Sequence, residues 1–426
     1  MSSMPPSVIA AATRSMQALA VAALFATMTA PAHAHTKGIS LSKYGLVDVS
    51  WSANLALMTT SDYYRGFNPV KLGSRHFAGL NLTSFDLAFT QDAYQFPVKW
   101  GLFTAWGPDE VGIEEAFLLF HKLPAQLQLK TGIFRVNFGK INQYHDHEWT
   151  FADPPLISTF LLGADGVHNV GAELSWQPPT PFFTEWSFSL MQAPVGDFER
   201  TFPTPLDAVS GAGDLRRASA WSRATSFFDL SDDSDLELGI SAAVGRNKPN
   251  GLASGVANPS DLSASPDDLT VMGGLDFTYT YKPAPFSPYL RWTTEYMVAK
   301  RRNPIRLDLD RSLRTGDAPL EEQISHTLIP SDTVGGAYSE LNYRLSYNWD
   351  VGARFDVVGW PTGGEDPQTR LTGAVRYFLN PVSRLNFQYA YHFPSGIDQP
   401  YHVGLVQLNV GGGTVTPGVG KFYNLF

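Results

Sequence analysis

Apolar and polar residues alternate along much of the chain, most clearly near its C-terminus. Between positions 384 and 393 the odd positions are apolar or aromatic and include Leu385, Phe387 and Tyr389. The even positions are mostly polar and include Arg384 and His392. A period of two residues places successive side chains on opposite faces of an extended strand. The segment therefore predicts a β-strand with one apolar and one polar face.

The same alternation elsewhere predicts an all-β protein of about sixteen antiparallel strands. After the N-terminal segment there is no apolar run of about 18 residues, so the sequence predicts no transmembrane helix. A closed barrel can still cross a bilayer, with apolar residues facing lipid and polar residues facing the lumen. The predicted strands span residues 44–59, 75–91, 94–106, 111–122, 125–138, 167–177, 182–193, 216–230, 235–246, 268–282, 288–300, 334–347, 349–358, 368–379, 382–393 and 401–411.

The predicted connections alternate between short and long, as in bacterial transmembrane barrels with short periplasmic turns and long external loops. If both termini are periplasmic, every long connection falls on the outer side. A soluble β-sandwich has no reason to show this alternation, so a barrel in the bacterial outer membrane is favoured. The long connections are 60–74, 139–166, 194–215, 247–267 and 301–333.

The N-terminal 34 residues have the pattern of a secretory signal peptide. Arg14 is followed by an apolar stretch from Ala18 to Ala26, and Ala32-His33-Ala34 matches the A-x-A cleavage pattern. The alternative, a first transmembrane helix, requires a longer apolar run. We therefore expect residues 1–34 to be removed and residues 35–426 to form a single barrel domain.

Composition narrows the classes of partner. The formal net charge is −9, which gives no indication of a nucleic-acid partner. The chain has no cysteine, which excludes disulfides and thiolate metal sites. The chain ends in Phe426. A terminal aromatic residue is a familiar feature of barrels that the outer-membrane assembly machinery inserts, so this machinery and outer-membrane lipid are the expected partners.

The connection 139–166 carries the densest group of charged and imidazole side chains. A long loop folded into a wide barrel narrows the lumen, and charges on it set the field that a permeating ion crosses. The predicted constriction residues are Lys140, His145, Asp146, His147, Glu148 and Asp153. The opposing wall is predicted to be basic and to consist of Arg344, Arg354, Arg370, Arg376 and Arg384. The leading hypothesis is a porin for passive diffusion of small hydrophilic solutes or ions, with no cofactor.

Two alternatives apply to these residues. The arginines could simply pair with neighbouring carboxylates and keep a polar lumen hydrated. His145 and His147 could bind zinc, with Asp146, Glu148 or Asp153 completing a nitrogen and oxygen site, although a solvated histidine pair fits the same pattern. The corresponding alternative function is a zinc-linked or ligand-binding receptor barrel. No G-x-S-x-G segment or similar constellation indicates an enzyme.

The stretch from Gln128 to Pro155 resembles a proteobacterial barrel family related to phosphate-selective porins. In that family a strand ending in a G-x-F-R-x-x-F-G-like segment precedes a loop with His and Trp. The matching residues are Gly132, Phe134, Arg135, Phe138, Gly139, His145, His147, Trp149, Asp153 and Pro155. The resemblance implies sixteen strands and a homotrimer. Some relatives are labelled zinc-regulated outer-membrane receptors, which implies a metal-linked role, while phosphate selectivity implies a ladder of lysines that this sequence lacks.

Overall fold

A computed structural model describes most of the chain between residues 39 and 413. The predicted signal peptide, the terminal Phe426 and the long connections 61–78, 193–217 and 247–268 lie outside the described residues. The described residues are 39–40, 46–60, 79–93, 96–107, 111–163, 166–192, 218–246, 269–283, 288–302, 305–309, 324–328, 331–360, 368–380, 383–394 and 400–413.

Sixteen antiparallel strands form one closed barrel, as predicted. Each strand pairs with its neighbours in the chain, and the last strand pairs with the first, from Val403 opposite Thr60 to Gly413 opposite Ser50. The strands are β1 Leu46–Thr60, β2 Gly79–Ala93, β3 Val98–Trp106, β4 Val111–Leu123, β5 Leu127–Arg135, β6 His168–Trp176, β7 Thr184–Met191, β8 Ser219–Ser231, β9 Ser234–Arg246, β10 Leu269–Tyr281, β11 Leu290–Arg302, β12 Ser331–Arg344, β13 Trp349–Val358, β14 Gln368–Asn380, β15 Ser383–Pro394 and β16 Tyr401–Gly413. A two-residue strand, Ile39–Ser40, also pairs with the start of β1.

The alternation along each strand separates a lipid-facing surface from a lumen. On β14, Leu371 is 55% exposed, whereas the preceding residue Arg370 is 1% exposed. Phe355 on β13 and Phe387 on β15 are likewise exposed on the outer surface. An apolar outer surface without unpaired strand edges is what a bilayer requires of a sheet. Among the described residues, no helix is long and apolar enough to cross a membrane.

Exposed aromatic side chains collect near the short turns. Such rings are enriched at the membrane–water interface, where an apolar ring body and a polar group are both accommodated. They mark the periplasmic boundary of the barrel in the orientation predicted from the connection lengths. They include Trp176, Phe182, Phe183, Trp186, Trp292, Tyr343, Tyr347 and Trp349.

Two predicted strand ends and one predicted connection need correction. The fifth strand ends at Arg135, because Phe138 turns into the lumen instead of continuing the ladder. The predicted strand 334–347 is β12, which ends at Arg344 because the chain turns tightly and the N–H groups of Leu345 and Ser346 donate to the carbonyl of Trp349. The connection 301–333 also contains a small antiparallel hairpin of Ile305–Leu309 and Ile324–Leu328.

Residues 136–167, which we call the inserted loop, fold into the lumen. Apart from 164 and 165, which lie outside the described residues, no residue of this segment is exposed and most are buried; the segment contains the seven-residue helix α1, Leu156–Leu162. Helix α1 belongs to an apolar core inside the barrel, although the interior of such barrels is generally polar. Lumen-facing members of this core include Phe134, Phe138, Trp221, Met272, Met297, Val334, Tyr338 and Val358. The inserted loop therefore has a packed hydrophobic anchor within the lumen.

Candidate functional site

The two ends of the inserted loop meet at the barrel wall. The N–H of Val136 donates to the carbonyl of Val167 at 2.9 Å. Asn142 closes this neck, because its side-chain amide donates to the carbonyls of Val136 and Val167 and its Oδ1 accepts the N–H of Val167 at 2.7 Å. The loop thus leaves and rejoins the sheet at one point, between β5 and β6.

The first turn of the loop is fixed by carboxylates of β9 and β11. The N–H groups of Lys140 and Ile141 donate to the two oxygens of Glu295 at 2.8 and 3.2 Å. The ammonium of Lys140 forms an ion pair with Glu237. Gly139 has a φ of +64°, and a Cβ there would overlap the carboxylate of Glu295. Glycine is required here because the chain turns with positive φ directly against that carboxylate.

Four of the five predicted wall arginines hold the middle of the loop through its backbone. Arg376 donates to the carbonyl of Thr150 at 2.5 Å, and Arg384 donates to that of Trp149 at 2.5 Å. Arg354 donates to the carbonyl of Asp153 at 2.9 Å, and Arg370 donates to that of Pro154 at 2.6 Å. We call Arg354, Arg370, Arg376 and Arg384, on β13, β14 and β15, the basic wall.

The basic wall has its own counter-ion. Asp356 on β13 accepts hydrogen bonds from Arg354 at 3.1 Å and from Arg370 at 3.0 Å. Its other oxygen accepts the N–H of Leu156 at the start of α1 at 3.0 Å. A carboxylate at a helix N-terminus satisfies a free N–H and complements the helix dipole. One buried carboxylate therefore orients both arginines and α1.

His145 lies between two carboxylates of β4. Its Nδ1 is 2.8 Å from Glu114 Oε2, and its Nε2 is 2.8 Å from Glu115 Oε1. Burial and the charge of Arg135 lower the pKa of His145, but the two glutamates outweigh them and raise this pKa to about 9. The imidazole is therefore a cation at neutral pH and serves as the counter-ion of the pair.

A β-bulge explains how two adjacent glutamates reach the lumen together. The pairing of β3 and β4 shifts register between Phe103 and Thr104, so that Phe103 lies opposite Glu115 and Thr104 lies opposite Ile113. Glu114 is the extra residue. A bulge redirects a side chain that strict alternation would turn to the opposite face. Sequence reasoning missed this site, although two successive acids within a strand were a signal for it.

His147 faces a different part of the wall. Its Nδ1 lies 3.4 Å from Asp86 Oδ2 on β2 and 3.6 Å from Asp146 Oδ1. Burial lowers the pKa of His147, but Asp146 and Asp86 outweigh burial and raise the pKa well above its usual value. We call Asp86, Glu114 and Glu115 the acidic wall. The two histidine rings stack with centroids 5.6 Å apart.

The remaining predicted residues are distributed along the loop and the rim. Glu148 accepts the N–H of His145 at 3.0 Å and caps the short turn Asp146–Glu148. Asp153 Oδ2 accepts the side-chain amide of Gln388 at 3.1 Å. Arg344, the fifth predicted wall residue, lies 3.5 Å from Asp350 beside the short turn between β12 and β13. The sequence predicted an acidic loop separated from a basic wall by an open pore with a field across it. In the structure the loop and four of these arginines are instead in direct contact.

Polar space remains beside the loop. A small cavity of about 20 Å³, with room for about one water molecule, lies against β4 to β7. Lys130 and Glu173 face each other across it with Nζ and Oε1 4.0 Å apart. Its lining consists of Leu119, Gln128, Lys130, Arg135, Asn137, Gln143, Glu173, Ser175 and Glu185. Water can occupy this region.

No protein-family model matches the chain, so membership in the phosphate-selective porin family stays a prediction. A sequence relative is an uncharacterized protein of Aquifex aeolicus, which is 28% identical over 249 residues. The match covers 58% of this chain and 48% of the relative. The chain therefore matches about half the length of that protein.

Solved structures with this fold are outer-membrane proteins. The chain is similar to outer-membrane expressed OmpT of Vibrio cholerae, with a TM-score of 0.52, 10% identity and coverage of 88% of this chain and 100% of that chain. With an anion-selective porin from Comamonas acidovorans the TM-score is 0.52 at 8% identity, and the match covers 86% of this chain and 99% of that chain. With the outer membrane channel DcaP of Acinetobacter baumannii the TM-score is 0.51 at 10% identity, and the match covers 88% of this chain and 99% of that chain. The chain thus has the fold of an outer-membrane β-barrel, and its location is the bacterial outer membrane.

Proposed function

We propose that the chain is a porin-type channel for passive diffusion of small hydrophilic solutes or ions, and that the inserted loop sets its cross-section. The observation that carries the proposal is the insertion itself: a loop anchored to several strands fills much of a sixteen-stranded lumen and leaves a small cavity, lined mostly by polar residues, against β4 to β7. Such a constriction limits the size of the permeating solute, and the charges beside it influence ion selectivity. In this proposal the chain performs no covalent chemistry.

The basic wall contributes to selectivity indirectly. Its arginines donate to loop carbonyls and to Asp356, so their main effect is to fix the loop in place. The charges that line the cavity are of both signs, with Glu173 and Glu185 near Lys130 and Arg135. We therefore propose mild charge selectivity.

The test is conductance in a planar bilayer, with a variant in which the loop is removed. Because Val136 and Val167 are hydrogen-bonded at the neck, residues 137–166 can be replaced by a short Gly-Ser linker without moving β5 or β6. We expect small ohmic steps from the full chain and steps several-fold larger from the loop-deleted variant. Leu371→Ala, on the lipid-facing surface, is the control and should conduct like the unmodified chain.

Equal conductance of the full chain and the loop-deleted variant would refute the role of the loop. A full chain that never conducts, while the deleted variant does, would refute the porin and favour the second candidate. That candidate is a closed receptor barrel that binds a ligand, and the apolar core around α1 is the observation in its favour.

We also propose a homotrimer. OmpT of Vibrio cholerae has been solved in a trimer form, and this chain gives a TM-score of 0.51 and 10% identity with that structure. Chemical cross-linking of the folded barrel in membranes should yield a three-chain species. A species that stops at one chain under the same conditions would contradict the trimer.

A further inference from the structure

The geometry points to a divalent metal site that joins the inserted loop to the barrel wall, with Asp86, Asp146 and His147 as ligands and Zn²⁺ as the fitting ion. The three residues each place one ligand atom within 4.8 Å of the others. Asp146 and His147 belong to the loop, and Asp86 belongs to β2. The proposal concerns metal binding and holds whether or not the barrel conducts.

The distances between these atoms suit a shared ion better than direct hydrogen bonds. His147 Nδ1 lies 3.4 Å from Asp86 Oδ2 and 3.6 Å from Asp146 Oδ1, and Nδ1 has no hydrogen-bond partner. A good hydrogen bond to a ring nitrogen spans about 2.7–3.2 Å. Ligands about 2.1 Å from a tetrahedral zinc lie about 3.4 Å from one another. A small shift of these side chains would therefore complete a coordination shell.

Asp86 supplies an independent observation. The residue is only 7% exposed, and its Oδ1 has no hydrogen-bond partner. Its Oδ2 accepts the hydroxyl groups of Ser52 at 2.8 Å and Ser84 at 3.1 Å, which fix the orientation of the carboxylate. A buried carboxylate oxygen without a partner is costly, and coordination of a cation removes that cost. Hydroxyl groups that orient a ligating carboxylate are a usual feature of metal sites.

The ligand set differs from a site made of both histidines. Each ring nitrogen of His145 already lies 2.8 Å from a glutamate oxygen, so His145 has no nitrogen available for an ion. One imidazole with two carboxylates suits zinc and similar borderline divalent ions more than calcium or magnesium, which prefer oxygen ligands alone. Solvent can fill the fourth position.

The test is a zinc titration of the folded full-length barrel in detergent, prepared without a polyhistidine tag and competed against a chelating dye. We expect one zinc per chain. Asp86→Asn and His147→Gln should each weaken binding about tenfold or more. The matched controls are Asp153→Asn and His402→Gln, a loop carboxylate and an imidazole outside the cluster, and both should bind zinc as the unmodified chain does.

Absence of saturable binding at one zinc per chain would overturn the proposal, as would unchanged affinity in Asp86→Asn. X-ray absorption at the zinc edge of the unmodified chain gives a second measurement that does not depend on the folding of any variant. We expect nitrogen and oxygen ligands at about 2.0–2.1 Å with one imidazole. A spectrum with two imidazoles would overturn the ligand set.

Discussion

On the basic wall, four arginines donate to carbonyl oxygens of the inserted loop, whereas on the acidic wall three carboxylates face two histidine rings of the same loop. The first set of contacts uses the loop backbone, which every amino acid provides. The second set uses particular side chains, His145 and His147. The basic wall therefore tolerates a change in loop sequence, while the acidic wall does not.

The two walls also differ in what a single substitution leaves behind. Removal of Arg354 or Arg370 leaves Asp356 and loop carbonyls buried with fewer donors. Removal of a histidine leaves carboxylates of like charge close together, with Arg135 still 3.8 Å from Glu114. Loss of one partner from a buried ion pair is among the most destabilising substitutions known. We therefore expect substitution of an arginine of the basic wall to lower the free energy of unfolding more than substitution of a histidine that faces the acidic wall.

The largest effect is expected from Arg370→Met. This substitution removes the hydrogen bonds to Asp356 and to the carbonyl of Pro154, and it should lower the free energy of unfolding by about 4 kcal/mol. Denaturant unfolding of the barrel in detergent measures the change. Arg344→Met is the control, because the side chain of Arg344 is 25% exposed at the rim and its loss should cost about 1 kcal/mol. Equal losses of unfolding free energy from both substitutions would show that the contacts of Arg370 with the loop do not stabilise the barrel.

A smaller loss is expected from His145→Gln. Glutamine still donates one hydrogen bond but removes the cation between Glu114 and Glu115, so the free energy of unfolding should fall by about 2 kcal/mol. The same unfolding experiment applies. His402→Gln replaces an exposed imidazole and should leave stability nearly unchanged. A loss larger than that of Arg370→Met would reverse the ranking of the two walls.

The smallest effect is expected from Asp153→Asn. Arg354 binds the backbone carbonyl of Asp153, and asparagine keeps an oxygen for the amide of Gln388, so stability should change by less than about 1 kcal/mol. Ion selectivity, measured as a reversal potential in a salt gradient, should also change little. A large shift would show that the charge of Asp153 acts directly on permeating ions.

The barrel could be predicted from sequence because strand alternation and connection length are local properties. The residue types of Leu371 and Arg370 alone indicate that the first faces lipid and the second faces the lumen. All sixteen strands lie near their predicted positions. The connection 139–166 could also be singled out from sequence, because its charged and imidazole residues stand out among the connections.

The contacts of the loop could not be predicted in this way, because their partners lie far away in the chain. Glu115 is 30 positions from His145, and Gln388 is 235 positions from Asp153. Helix α1 was not predicted, although its sequence, Leu156–Leu162, is mainly apolar. An apolar run inside a charged connection indicated a buried anchor, and the bulge at Glu114 depends on a register that only pairing with β3 defines.

The distance along the chain between the loop and the basic wall has a consequence for biogenesis. Arg354 follows Pro154 by 200 positions, and Arg384 follows His147 by 237. Contacts of such long range form late, since much of the chain must be ordered before they can be made. The loop is synthesised before β13, β14 and β15, and its carbonyls meet their arginines only when these strands have joined the sheet. The contacts that hold the middle of the loop are thus completed only as the last strands close the barrel.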